Sequence, residues 1–238
     1  GAAVSGGDVA RAAVVGAGAW GTTFACLLAE AGTPTTLWAR RTDLVREINA
    51  GRNERYVPGH HLPEGVSATS DLVRAVEGAG LVVVAVPSQS ARGVLTPLRG
   101  EIADGALAVS LMKGVELGTR MRMSQVLADV LDLPAERGAV VSGPNLADEI
   151  AARQPTATVV AAIDEVVAAR VAALCATSTF RPYTNTDVLG VELCGAVKNV
   201  IALAVGAAAG CGFGDNSMAT IITRGLVEIT RLGLALGA

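Results

Sequence analysis

From residue 12 almost to residue 187, short runs of consecutive apolar residues alternate with segments whose apolar positions recur every three to four residues. The runs predict buried strands, and the periodic segments predict helices packed on them. Strands are expected over 12–15, 35–39, 81–86, 107–111, 139–142 and 156–161. Helices are expected from a glycine turn to residue 31, over 42–50 with Thr42 as N-cap, and over 71–77, 90–98 and 121–131. Further helices start near Leu146, with Asn145 as N-cap, and run up to Ala176. The stretch 51–65, with Pro58, Gly59 and Pro63, reads as an irregular loop. Strands separated by helices in this rhythm predict an α/β fold with a Rossmann-like, doubly wound parallel sheet.

After Asp187 the rhythm stops. Residues 188–209 form one long, almost uncharged helical pattern, followed by the turn Gly210-Cys211-Gly212-Phe213-Gly214 and a second helix over 217–236. The expected organisation is a dinucleotide-binding domain over 1–187 and the start of an all-helical substrate and catalytic domain over 188–238. Two helices make a thin core, so this second domain is expected to be partial and the natural chain to continue. Gly1 to Gly7 reads as a flexible lead.

Composition narrows the class. Hydrophobic residues make up 51% and charged residues 17% of 238, which excludes a disordered chain, and only 3% are aromatic. An apolar mass of Ala, Val and Leu suits parallel strands covered by helices. A net charge of −3 speaks against nucleic acid as a partner. The most apolar stretch, 200–209, is shorter than the roughly 20 residues a membrane span needs. Cys26, Cys175, Cys194 and Cys211 form no CxxC pair and no metal-like spacing with His60 or His61, so no metal is expected. Cys26 and Cys194 read as buried free thiols, and reduced thiols without a signal peptide point to the cytoplasm.

Gly16-Ala-Gly18-Ala-Trp-Gly21 follows the first strand and opens the first helix. Gly16 permits a tight turn, Gly18 a close backbone approach to a pyrophosphate, and Gly21 close helix packing. The helix N-terminus then offers free amides to phosphate. Trp20 stands at the mouth of the turn, open to packing on a cofactor or to burial in the core. At the end of the second strand, where an acid binding the adenosine ribose is usual, the sequence reads Trp38-Ala39-Arg40-Arg41. Two guanidiniums suit a 2′-phosphate, which favours NADPH and leaves NAD possible; plain surface charge is the alternative. Pro87-Ser88 ends a strand on the same sheet edge, with Ser88 readable as a helix cap.

Two lysines stand where lysine is costly. Lys113 follows the 107–111 strand, and Lys198 lies inside an apolar helix one turn after Gly195, which leaves room for a ligand. Such an ammonium must be paired, cleft-exposed or shifted toward the neutral form, and can then donate a proton to a carbonyl oxygen. Snorkelling along its methylenes is the alternative. Arg224, Glu228 and Arg231 are spaced to pair along one helix face.

The segments GAGAWGT from Gly16, LWAR from Leu37, VPS from Val86, MKGVE from Met112, SGPNLADE from Ser142, ELCGAVKNVIAL from Glu192, and GFGDN with ITRGL near the end occur together and in order. In these the chain resembles the bacterial NAD(P)-dependent glycerol-3-phosphate dehydrogenase family. The resemblance implies reduction of dihydroxyacetone phosphate to glycerol 3-phosphate for phospholipid synthesis, by a homodimer. It implies that Trp20, Arg40, Arg41, Lys113 and the backbone at Ala147 contact NADPH, and that Lys113, Gly143 and Asn145 border the substrate. Lys198 would act as general acid and base, and Asn199 would help place the substrate. Other two-domain reductases share the glycine fingerprint, but one acting on acyl-CoA would use a catalytic histidine near a Glu. Here His60 and His61 both lie in the 51–65 loop.

Overall fold

A computed structural model describes residues 9–238, so the lead read over 1–7 lies outside the described residues. The strands are β1 (Ala12–Val15), β2 (Thr35–Trp38), β3 (Val66–Thr69), β4 (Leu81–Val84), β5 (Leu107–Ser110), β6 (Gly138–Ser142), β7 (Thr156–Ala162) and β8 (Phe180–Asn185). The helices are α1 (Ala19–Glu30), α2 (Thr42–Asn49), α3 (Leu72–Val76), α4 (Ala91–Leu95), α5 (Met123–Leu131), α6 (Ala147–Ala151), α7 (Glu165–Cys175), α8 (Val188–Gly210) and α9 (Asp215–Leu236). One eight-stranded sheet runs in the order β3-β2-β1-β4-β5-β6-β7-β8.

Burial on both faces explains the central strands. β1, β4 and β5 are buried at every position, and successive residues serve opposite layers. Val14, Leu81, Val83 and Val109 pack with Phe24 and Leu28 of α1, Leu44 of α2 and Val171 of α7. Val15, Val82, Val84 and Ala108 pack with Leu95 of α4 and with Val126, Leu127 and Val130 of α5. Asp71, Asp164 and Asp187 cap α3, α7 and α8, each accepting a hydrogen bond from a backbone amide of the first turn.

Several expectations need correction. The sheet is not wholly parallel, because β7 runs antiparallel to β6. Only the five-residue α6 stands between them, too little to carry a crossover over a sheet face. β3 and β8 were not expected from the pattern; both are edge strands, and their polar residues and Pro182 hide the strand signal. Arg41, not Thr42, is the N-cap of α2, and Leu146, not Asn145, that of α6. The helix expected over 90–98 is broken: Pro87, not Ser88, is the N-cap of a 3-10 turn over Ser88–Ser90, and another turn follows α4. Cys194 is exposed and Cys26 half-buried, so neither is the fully buried thiol expected; Cys175 is the cysteine that lies in the core among the described residues.

The apolar stretch at 200–209 lies within α8, the long helix expected over 188–209. α8 has 23 residues and, by length and composition alone, is long and apolar enough to cross a membrane. It nevertheless carries Glu192 and Lys198 and packs against α9, β6 and β7. On α9, Glu228 pairs with Arg224 at 3.6 Å and Arg231 at 3.0 Å, as the spacing predicted.

β8 is joined to the core by aromatic packing, Trp20 lying edge-on to Phe24 at 5.4 Å and tilted against Phe180 at 6.3 Å. Phe180→Ala is expected to cost about 3–5 kcal/mol, read by urea unfolding. A loss below about 1 kcal/mol would mean that the site collapses around the gap or that β8 is not part of the cooperative core.

Candidate active site

The strand order turns between β1 and β4, and the crevice beyond their carboxyl ends is where such sheets bind ligands. The glycine turn lies there. Gly16 has φ +118°, and a Cβ on it would stand 2.6 Å from the Ala85 carbonyl oxygen, so neither conformation nor space admits a side chain. A Cβ at Gly21 would overlap the carbonyl oxygen of Gly16, so only glycine lets α1 approach this closely. Around Gly18 nothing lies within 4 Å of such an atom, so that side of the turn is open. Gly18 is also the N-cap of α1 and offers no side-chain cap, which leaves the first amides free for an anion.

A cleft of about 540 Å³ contains this turn, and Trp20, Arg40, Arg41, Tyr56, Ser88 and Lys113 also line it. Of the two open readings of Trp20, core packing is observed, its ring lying against Phe24 and Phe180, and the residue also lines the cleft. Its Nε1 is buried without a hydrogen-bond partner among the described residues. The two arginines differ. Arg41 donates from Nε to Asp43 Oδ1 at 3.0 Å and forms a second contact with Asp43 Oδ2. The Arg41 guanidinium holds the Asp43 carboxyl well below the usual range, and Asp43 in turn raises Arg41. Arg40 is exposed and has no ion pair or hydrogen bond among the described residues.

The second centre is a carbonyl. Lys113 Nζ and Lys198 Nζ both donate to the Gly143 oxygen, at 3.3 and 3.4 Å. Loop, helix and sheet edge thus bring together residues 30 and 55 positions from Gly143. Burial lowers the Lys113 ammonium from the ordinary lysine value, and the nearby Lys198 charge lowers it further. Lys198 and Gly143 also line a cavity of about 640 Å³ between α8, α9 and the sheet. The room expected beside Gly195 is occupied: a Cβ there would stand 2.5 Å from Ser142 Oγ. Glycine at 195 admits the β6 hydroxyl.

Asn145 donates to Thr158 Oγ1 at 2.9 Å, which is why it does not cap α6, and its Oδ1 is buried without a partner. Ala147 opens α6 outside the lining of both cavities, and Asn199 is exposed on α8, also outside both.

The NAD-dependent glycerol-3-phosphate dehydrogenase N-terminus family matches residues 11–168, and the C-terminus family of the same enzymes matches 187–238. A glycerol-3-phosphate dehydrogenase [NAD(P)+] of Streptomyces coelicolor is 58% identical over 229 residues, 96% of this chain and 68% of the relative. That of Mycobacterium leprae is 54% identical over 95% of this chain and 66% of the relative. The glycerol-3-phosphate dehydrogenase structure from Coxiella burnetii superposes with TM-score 0.88 at 37% identity, covering 96% of this chain and 70% of that one. A ketopantoate reductase from Ralstonia eutropha, at 24% identity and TM-score 0.60 over 80% of this chain and 60% of that one, shares the fold. The chain belongs to the NAD-dependent glycerol-3-phosphate dehydrogenase family.

As a member of this family it is an oxidoreductase that uses NAD(P). The residues present fit that cofactor: the open side of Gly18, the uncapped start of α1, the unpaired Arg40 and the orphaned Trp20 Nε1 all border one cleft.

The sequence reading missed the residues that hold this candidate site in shape. Asn53, fully buried, donates to the Ala17 oxygen at 3.3 Å and to Thr22 Oγ1 at 2.9 Å, bracing the glycine turn from the loop read as irregular. Gln89 clamps the loop after Lys113, donating to the Val115 oxygen and accepting from the Leu117 amide, each at 2.9 Å. Arg92 binds Glu116 of that loop through two bonds of 2.9 and 3.0 Å, which lower its carboxyl. The test that singled out Lys198, a charge in an apolar segment, applies equally to Glu192 and would have found it.

Cys26 and Cys175 offer no competing nucleophile, since burial pushes both thiols up to about 12.

Because the Lys198 charge is one cause of the lowered Lys113 value, Lys198→Met is expected to raise the Lys113 titration. NMR of reductively methylated lysines reads this. An unchanged or lower Lys113 value would mean that the two ammonium groups do not share this carbonyl.

Proposed function

We propose that this chain reduces dihydroxyacetone phosphate to sn-glycerol 3-phosphate, with NADPH preferred and NADH accepted, for phospholipid synthesis. The observation that carries the reading is the convergence of Lys113 and Lys198 on the Gly143 oxygen beside the dinucleotide cleft. When bound, the cofactor supplies a hydride to the substrate carbonyl carbon. Lys198 donates a proton from Nζ to the carbonyl oxygen as its charge develops, so that C=O becomes CH–OH. In the reverse direction the neutral amine takes that proton back. Lys113, Gly143 and Asn145 border the substrate, with the Lys113 cation attracting its anionic end, and Asn199 helps to place it. The free first amides of α1 and the backbone at Ala147 hold cofactor oxygens, while Trp20 packs on the cofactor.

Arg40 is the principal 2′-phosphate contact, because its guanidinium has no competing carboxylate, and Arg41 contributes despite Asp43. The reading divides the chain into a dinucleotide-binding domain, 1–187, and the helical substrate domain beginning at 188. The separate family matches over 11–168 and 187–238 support the division. It also places the enzyme in the cytoplasm, a setting that suits four free cysteines. α8 is a packing helix, as its ion-paired Glu192 supports. A homodimer is part of the reading, and exposed Leu203, Phe213, Leu226 and Leu234 supply apolar area for a contact.

Loss of NADPH absorbance on adding dihydroxyacetone phosphate, with ketopantoate as control, tests the substrate. Turnover with ketopantoate alone would refute the reading. Lys198→Ala is expected to lower kcat by about 100-fold or more while NADPH still binds; near wild-type turnover would remove its role. Arg40→Ala is expected to weaken NADPH by about 10-fold, with NADH unchanged and Arg41→Ala milder. Equal loss for both nucleotides would overturn the 2′-phosphate assignment.

A further inference from the structure

Glu192, Gly195 and Lys198 recur every three residues and form one ridge along α8. Each point of the ridge meets a different part of the sheet domain. The Glu192 side chain, 5% exposed, accepts hydrogen bonds from Arg122 Nη1 at 2.5 Å, Ser124 Oγ at 2.6 Å and the Ser124 amide at 2.8 Å. These donors lie at the amino end of α5. Gly195 lies against the Ser142 hydroxyl at the end of β6, and Lys198 donates to the next residue, Gly143, at 3.4 Å.

A buried carboxylate is tolerated only when its charge is paired and its oxygens are hydrogen-bonded, and here both conditions are met. α8 also packs against α9, β6 and β7 and is capped by Asp187 at its start. Only 17% of its most apolar window is buried, and apolar contact is non-directional, whereas three hydrogen bonds to one carboxylate specify a position. Lys198 lies six residues beyond Glu192, a rise of about 9 Å, so any slip of the helix at the anchor carries through to its ammonium.

We propose that Glu192 is a positioning residue for Lys198: anchored at the start of α5, it sets where α8 sits along β6 and so brings the Lys198 ammonium to the Gly143 carbonyl. The inference rests on Lys198 being the proton donor. Glu192 touches neither cavity lining, so its effect passes through the helix.

Steady-state kinetics of the full-length enzyme, with NADPH affinity by fluorescence and melting temperature, test it in three variants. Glu192→Gln is expected to lower kcat roughly 10- to 100-fold with NADPH affinity unchanged. Ser124→Ala, which keeps the amide and guanidinium bonds, is expected to lower kcat by a smaller factor. Wild-type kcat in both, with only the melting temperature reduced, would show that the anchor merely stabilises the fold. Should Glu192→Gln fail to fold, Ser124→Ala decides, and an unchanged kcat there overturns the inference. Lys198→Met separates the two claims. Turnover retained in Lys198→Met refutes the proton-donor reading; turnover lost there but kept in Glu192→Gln refutes the positioning role alone.

Discussion

Two ammonium groups aimed at one carbonyl oxygen repel each other, and much of the site architecture of this dehydrogenase serves to hold them there. Near a protein surface, unit charges about 4 Å apart interact by roughly 4 kcal/mol at an effective dielectric of 20. The Gly143 oxygen offsets part of that repulsion. The remainder falls on the elements that present the lysines, and each is tied down by a carboxylate. Glu116, bound by Arg92, fixes the loop of Lys113, and Glu192, bound by Arg122 and Ser124, fixes the helix of Lys198. Both side chains are largely buried, so neither pair resembles the exposed ion pairs that contribute little.

The sheet makes this arrangement possible. β5 and β6 are parallel neighbours, so the residues that follow them, Lys113 and Gly143, emerge at the same edge. β1 and β4 bring the glycine turn to that edge as well. β7 turns back antiparallel beside β6, and its Thr158 side chain takes up the amide of Asn145 and donates to the Ser142 oxygen. The reversal that departs from a purely parallel sheet thereby supports the segment carrying Gly143.

At the nucleotide end the three glycines divide their work sterically. Gly16 supplies a positive φ beside the Ala85 carbonyl, Gly21 lets α1 lie close to the turn, and Gly18 leaves its outer side open. Asn53 closes the turn from behind. An asparagine without a local partner in sequence gives no hint of such a contact, whereas glycine spacing states its purpose directly.

The sequence by itself determined the alternating architecture, the central strands and the glycine turn, and it singled out Lys113 and Lys198. These rest on local facts: fully buried runs, helical periodicity, and a charge standing where only apolar residues belong. Tertiary structure alone decided the edge strands β3 and β8, the antiparallel β7 and the filling of the Gly195 space by Ser142. It also decided that both lysines meet at Gly143 and that Glu192 reaches α5, across 68 positions to Ser124. The physical reason is range. Periodicity and steric demand are written within a few residues, but the partner of a buried charge is fixed by how distant segments pack.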